Sequence, residues 1–206
     1  MNEYINSLEK EKIKNKISTI EAKSSAEIAV AISRYAKGFS SLVWIYSSAF
    51  TAVFAVLLYL FGYAENLLFF IQGVVAIWFF LFFILSNTAS MTFIVPKKIL
   101  QKRCEELAFE QFYNSGIDKT SNHKAILIFI CLKSRYIRVI ADAKIDEVVK
   151  DDVWEKVVQN FVLRAKESRV AEGILETLDS CGEILIKNFP RDEDSKDELS
   201  NEVIEV

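Results

Sequence analysis

Asp142 stands in the run Ala141-Asp142-Ala143-Lys144-Ile145, just past an alternating stretch that reads as a strand. A carboxylate at a strand end, close to an incoming helix, suits a hard cation such as Ca2+ or Mg2+, which takes oxygen ligands. Ca2+ takes about six to eight oxygens, so Asp142 needs partners. Glu27, at the start of an earlier strand-like run, is the first candidate metal partner, and Asp118, Asp146 and Asp151 are further ones. The plainer reading of Asp142 is a loop cap that accepts backbone N–H groups. Both readings stay open at this point.

Other chemistry-bearing residues give weaker signals. His123 is the only histidine and lies in the polar loop Thr120-Ser121-Asn122-His123-Lys124. A catalytic base needs a nucleophile within hydrogen-bond reach, and nothing in the pattern marks Thr120 or Ser121 as one. Cys104, Cys131 and Cys181 are dispersed without metal-ligand spacing, as reduced thiols of a cytosolic compartment are. Cys104 and Cys181 fall on apolar helical faces and read as small core residues. Trp154 reads as core. Phosphate-loop, dinucleotide, zincin and CxxC patterns are absent.

The elements that must position these groups are dominated by one stretch. Between Lys37 and Lys97 the only charged side chain is Glu65. It divides the stretch into apolar cores at 42–61 and 67–88, each near the ~20 residues a helix needs to cross a ~30 Å hydrocarbon layer. The link Gly62–Asn66 makes the pair a transmembrane helical hairpin, within 40–95, that enters and leaves by one face. Ser48, Ala52 and Gln72 are candidates to face the partner helix. Lys23, Arg34 and Lys37 flank it on one side and Lys97, Lys98, Lys102 and Arg103 on the other, while the link has no Lys or Arg. The positive-inside rule then places both termini in the cytoplasm. These basic residues lie where anionic headgroups account for them, so no nucleic acid is expected as a partner.

Around the hairpin the chain reads as one split domain, 1–36 with 97–190. An amphipathic helix carries Ile5, Leu8, Ile13, Ile17 and Ile20. EIAVAIS (Glu27–Ser33) is a buried strand. After the hairpin comes a helix bearing Leu100, Cys104, Leu107 and Phe112, with Gly116 as its stop. AILIFICL (Ala125–Leu132) and RYIRVIA (Arg135–Ala141) form a hairpin turned by Lys133-Ser134. Two helices follow, the first opened by Asp151-Asp152 and the second at about 169–187 with Val170, Ile174, Leu178, Cys181 and Leu185 on its core face. The fold class is α/β: a small mixed sheet with helices packed on it. Residues 191–206 hold Asp192, Glu193, Asp194, Asp197, Glu198, Glu202 and Glu205 against Arg191 and Lys196, an excess larger than the net −3 of the 206-residue chain. They read as a solvated, flexible acidic tail.

Several pieces, in order, resemble the TPM domain family. They are SSAEIAVAIS (Ser24–Ser33), AFEQFYNSGIDKT (Ala108–Thr120), AILIFICLKSRYIRVIADAKI (Ala125–Ile145), Trp154 and GEILIKNFPRDEDSKDEL (Gly182–Leu199). The likeness is strongest to bacterial members with two membrane helices inserted after the first strand. It implies an α/β sandwich, metal-ion binding, a weak acid-phosphatase activity, and a part in maintaining or modulating membrane complexes. Asp142 carries most weight in that resemblance, flanked here by Ala141 and Ala143 where the family more often has a small residue and a Gly.

Three functions of different class follow as expectations. The first is a binding module, held at the lipid bilayer, that contacts or modulates a membrane-protein partner. The second is a divalent-metal-dependent phosphatase using Asp142. The third is a self-associating scaffold, a homo-oligomer whose hairpins pack across subunits. The expectation rests on the first, an integral, multi-pass membrane protein, with enzyme activity left open and phosphatase as the reaction if there is one.

Overall fold

The computed structural model describes residues 5–87, 91–92, 94–167, 169–192 and 198–206. The chain divides into two compact units, one joining 1–34 with 104–206 and one spanning 35–103. The expected end of the second span at 88 and residues 193–197 of the acidic tail lie outside the described residues.

The first unit opens with α1 (Ser7–Glu21). Asn6 starts it through a reciprocal capping box: the Glu9 N–H donates to Asn6 Oδ1 at 2.8 Å, and the Asn6 N–H donates to Glu9 Oε2 at 2.7 Å. Ile13, Ile17 and Ile20 recur at helical spacing and are buried. The chain then enters β1 (Glu27–Ser33), buried along its whole length. β2 (Ala125–Cys131) is likewise buried throughout and runs parallel to β1, from Glu27↔Ala125 to Ser33↔Cys131. Two fully buried, β-branched runs side by side are what a sheet covered on both faces requires. β3 (Tyr136–Ala141) returns antiparallel to β2, from Cys131↔Tyr136 to Ile126↔Ala141. The sheet order is β3-β2-β1-β4, where β4 is the short strand Ile204–Glu205, parallel to β1.

Strand alternation separates the two faces. Ile28, Val30, Ile32, Ile126, Ile128, Ile130 and Ile137 share one core with Ile13, Ile17 and Ile20 of α1 and with two later helices. The helix α4 (Lys97–Asn114) follows the apolar pair described below and lies on the opposite face. There its Cys104 hydrogen-bonds Cys131, its Glu105 pairs with Arg138 at 2.8 Å, and its Phe109 ring lies under the Arg138 guanidinium. After β3 come the single turn α5 (Ala143–Asp146), then α6 (Asp151–Lys166) and α7 (Val170–Asn188). Trp154, Val157 and Phe161 of α6 and Ile174, Leu178, Cys181 and Leu185 of α7 complete the first core. Gly182 lets α1 come close, because a Cβ there would meet Ile20 at 2.9 Å. This is the expected α/β architecture: a mixed four-stranded sheet with helices on both faces.

One expectation is corrected. Residues 198–206 do not run as a solvated tail. They lie along the free edge of β1, where Ala31 pairs with Ile204 and Ile32 with Glu205. Their acids find bases on α1: Glu205 meets Lys10 at 2.5 Å and Glu202 meets Lys14 at 3.1 Å.

The second unit contains α2 (Ser40–Leu60) and α3 (Leu67–Ser86), each long and apolar enough to cross a membrane. Gly62, in the left-handed conformation at φ 81°, stands in the link between them. Asn66 caps α3 by accepting the N–H groups of Leu68 and Phe69. The helices pair antiparallel: Trp44, early on α2, packs against Trp78 and Phe82, late on α3, and Trp78 Nε1 donates to Ser48 Oγ at 3.3 Å. Ser48 thus faces the partner helix as its size suggests. Most of the other large side chains point outward, Phe79, Phe80 and Phe83 being 61, 66 and 81% exposed, while Val43 and Leu85 are buried.

Candidate functional site

The sheet brings the candidate residues to one end. The parallel register starts β1 and β2 together, at Glu27 and Ala125. The antiparallel return ends β3 at Ala141, opposite Ile126. Continuing that register sets Asp142 opposite Ala125, close to the loop that ends in His123 and Lys124.

Asp142 is 8% exposed. Its N–H donates to Ala125 O at 2.8 Å, which fixes its backbone to the start of β2. Its Oδ1 accepts the Ala143 N–H at 2.7 Å, so it is the N-cap of α5. Its Oδ2 lies 3.2 Å from His123 Nδ1. A carboxylate oxygen accepts, so His123 Nδ1 is the donor in this contact. His123 adopts the left-handed conformation at φ 50° and its side chain is 54% exposed. Its N–H donates to Thr120 O at 3.1 Å, and its carbonyl accepts the Lys144 N–H at 3.3 Å, which ties the loop to α5.

Glu27 is also 8% exposed and opens β1, its N–H bonded to Lys124 O at 2.8 Å. Its Oε2 accepts the Leu199 N–H at 3.2 Å from the acidic segment. Glu198 of that segment accepts the Ser121 N–H at 2.9 Å and also binds the Ser121 hydroxyl. Thr120 Oγ1 donates to Ile117 O at 3.3 Å. Both hydroxyls beside His123 are thus engaged elsewhere, Thr120 with Ile117 and Ser121 with Glu198.

The other proposed acids are placed separately. Asp118 lies on the 3₁₀ turn Ile117–Lys119 and Asp146 ends α5. Asp151 opens α6, and its side chain lies outside what is described. Among the described residues no three His, Cys, Asp or Glu side chains converge as a metal site requires. Asp142 itself has one oxygen committed to capping and the other to His123.

The thiols are structural. Cys104, Cys131 and Cys181 are free and buried. Burial pushes the Cys181 thiol up to about 12. Cys104 is pushed up by its hydrogen bond to Cys131 and by burial, while the same bond draws Cys131 down.

A sequence model of the TPM domain matches residues 86–184. Residues 86–184, just under half of the chain, are thus similar to a TPM domain. The matched stretch runs from the end of α3 into α7, so it takes in His123 and Asp142 but not Glu27 or the acidic segment. The fold is also that of BA42, a protein from the psychrophilic bacterium Bizionia argentinensis whose structure was solved by NMR. The two share 17% sequence identity at a TM-score of 0.63, over 100% of this chain and 98% of that one. No curated protein sequence matches the chain.

The pairing with His123 is what the sequence reading of this chain missed. A histidine and an aspartate nineteen positions apart show no local pattern. The signal was the hairpin register, which sets Asp142 opposite Ala125 and so beside the loop that leads into β2.

Removing the cap gives a direct check on Asp142. Asp142→Ala is expected to cost about 1 kcal/mol, the usual loss for an N-cap, while Asp142→Asn keeps a capping oxygen and is expected to cost only a few tenths, about 0.3 kcal/mol. Denaturant midpoints of the two variants measure this. Equal losses would assign the stabilisation to the His123 contact instead of the cap.

Proposed function

We propose that this protein is a membrane-anchored TPM domain that binds and modulates a membrane-protein partner. The observation that carries the proposal is the outward-facing apolar surface of α2 and α3, which in water would be unfavourable at about 25 cal/mol per Å². A lipid bilayer removes that cost, and the hairpin then holds the α/β unit beside whatever shares the membrane. The basic flanks at Lys23, Arg34 and Lys37 and at Lys97, Lys98, Lys102 and Arg103 favour a cytoplasmic placement of both ends.

The test is size-resolved crosslinking of the full chain in its native membranes. A discrete species heavier than the chain, containing a second membrane protein, is expected. A ladder of copies of this chain alone would establish the scaffold instead, and a monomer alone would refute both.

The Asp142–His123 contact favours a second reading, a divalent-metal-dependent phosphatase. It sets a carboxylate and an imidazole side by side, with Glu27 at the same end of the sheet, and an ion bound between them would displace the Nδ1 hydrogen. Thermal unfolding with and without Ca2+, Mg2+ or Mn2+ separates the readings. An ion at about 100 times its dissociation constant adds about 2.7 kcal/mol, and under this second reading Asp142→Asn abolishes the shift. The binding-module reading expects no shift in either protein.

A further inference from the structure

We propose that the β1 edge and the lysine row of α1 form a groove for an extended acidic strand of the partner, and that residues 198–206 occupy it as a displaceable stand-in. The inference rests on the binding-module reading and names the chemistry of what is bound.

An edge strand presents unpaired N–H and C=O groups, and only another extended segment satisfies them in series. The resident segment does so parallel to β1 over two residues, Ile204 and Glu205, and its Val206 N–H donates to Ile32 O at 3.0 Å. Ser33 Oγ donates to Val206 O at 3.2 Å. Recognition beyond the backbone is by charge. Lys10 and Lys14 stand one helical turn apart along the rim. They take Glu205 and Glu202, three residues apart on the segment, while Val203 between them packs against the core. At the far end Glu27 accepts the Leu199 N–H. The groove therefore reads an extended segment with two acids three apart around an apolar pair.

The backbone ladder that holds the stand-in is short, and side-chain bonds to Ser18, Ser33 and Ser121 add to it. Its ladder is two residues long, against seven for β1 with β2. Both ion pairs lie in solvent, where such pairs contribute about 0–1 kcal/mol each. Short, exposed, thinly paired segments are the parts of a fold that open first. Leaving would free the β1 edge and break the segment's contacts with Glu27 and Ser121. A partner strand of the same chemistry takes the place by competition.

The test uses the full chain in detergent with residues 198–206 removed, and a fluorescent peptide of the sequence Glu198–Val206 as the probe. The shortened chain is expected to bind the peptide, and the intact chain about tenfold more weakly because its own segment competes. Lys10→Glu with Lys14→Glu in the shortened chain is expected to weaken binding by up to about tenfold. A peptide with Lys at the positions of Glu202 and Glu205 is expected to restore it. No binding by a shortened chain that still unfolds cooperatively would overturn the proposal, as would indifference to the charge exchange. Uptake of the segment only from a second intact copy, without binding of the free peptide, would replace the partner with exchange between copies. If shortening unfolds the chain, amide exchange of the intact protein decides: the Leu199 and Val206 amides must exchange at least about a hundredfold faster than those of β2. Equal protection would make the segment a fixed part of the sheet. Failure here with a partner still crosslinked in membranes would leave the binding-module reading in place and move the contact elsewhere.

Discussion

Val53→Arg combined with Val75→Arg is expected to abolish membrane association. Both residues lie near the middle of their helices, α2 and α3, and both are exposed. At the centre of a spanning helix an arginine disfavours insertion by about 2.5–3.5 kcal/mol relative to water, so two of them oppose it by about 5–7 kcal/mol. That is a factor of about five thousand to a hundred thousand in the partition, at about 1.4 kcal/mol per tenfold, enough to move the chain from the membrane pellet to the soluble or aggregated fraction. The opposite hypothesis, that α2 and α3 stay in water, predicts a different result. Exposed valines replaced by arginine would then leave fractionation unchanged or improve solubility. Carbonate-washed membranes, compared for the parent and the double variant, read the difference.

The second large effect is in the sheet. Phe129 stands in the middle of β2 and is fully buried, among the largest side chains that are. It shares a face with Leu127 and Cys131, the face on which Cys104 of α4 meets Cys131. Truncation to alanine removes the ring from water-free packing and leaves a cavity that a central strand cannot collapse to fill. The expected loss is about 3–5 kcal/mol. Typical domains have a total stability of about 5–15 kcal/mol, so Phe129→Ala is expected to lower the denaturant midpoint of the α/β unit steeply. Phe129→Leu keeps most of the volume and is expected to lose less than about 1.5 kcal/mol. Equal losses from the two would mean that the ring's shape, not the buried volume, carries the stability.

Much of this was readable before any coordinates. The two apolar helices announce themselves because nothing but a lipid or a partner tolerates twenty residues without charge. β1 and β2 read as strands because seven β-branched and apolar residues in a row, bounded by polar ones, suit a sheet buried on both faces. The hairpin of β2 and β3 followed from alternation on one side and none on the other. What could not be read was pairing across the chain. The acidic segment looks solvated when counted by charge, yet Glu202 and Glu205 meet Lys14 and Lys10, nearly two hundred positions earlier. Composition cannot show that a base is waiting on another element. His123 looked like an ordinary loop residue for the same reason; its partner Asp142 reaches it only through the register of a sheet. Trp154 was read as core and is buried, although its indole N–H finds no partner among the described residues.

The measurement that tests the central claim most directly is side-selective thiol labelling in sealed membrane vesicles. The native thiols at Cys104, Cys131 and Cys181 are buried, so new cysteines dominate the signal. Glu65→Cys marks the link between α2 and α3, and Glu147→Cys marks an exposed position after α5. A membrane-anchored α/β unit on a helical hairpin predicts that an impermeant maleimide reaches the two positions from opposite sides: Glu147→Cys only in inside-out vesicles and Glu65→Cys only in right-side-out ones. Labelling of both from the same side would contradict the hairpin, and with it the account of a TPM domain held at the bilayer to meet a membrane partner.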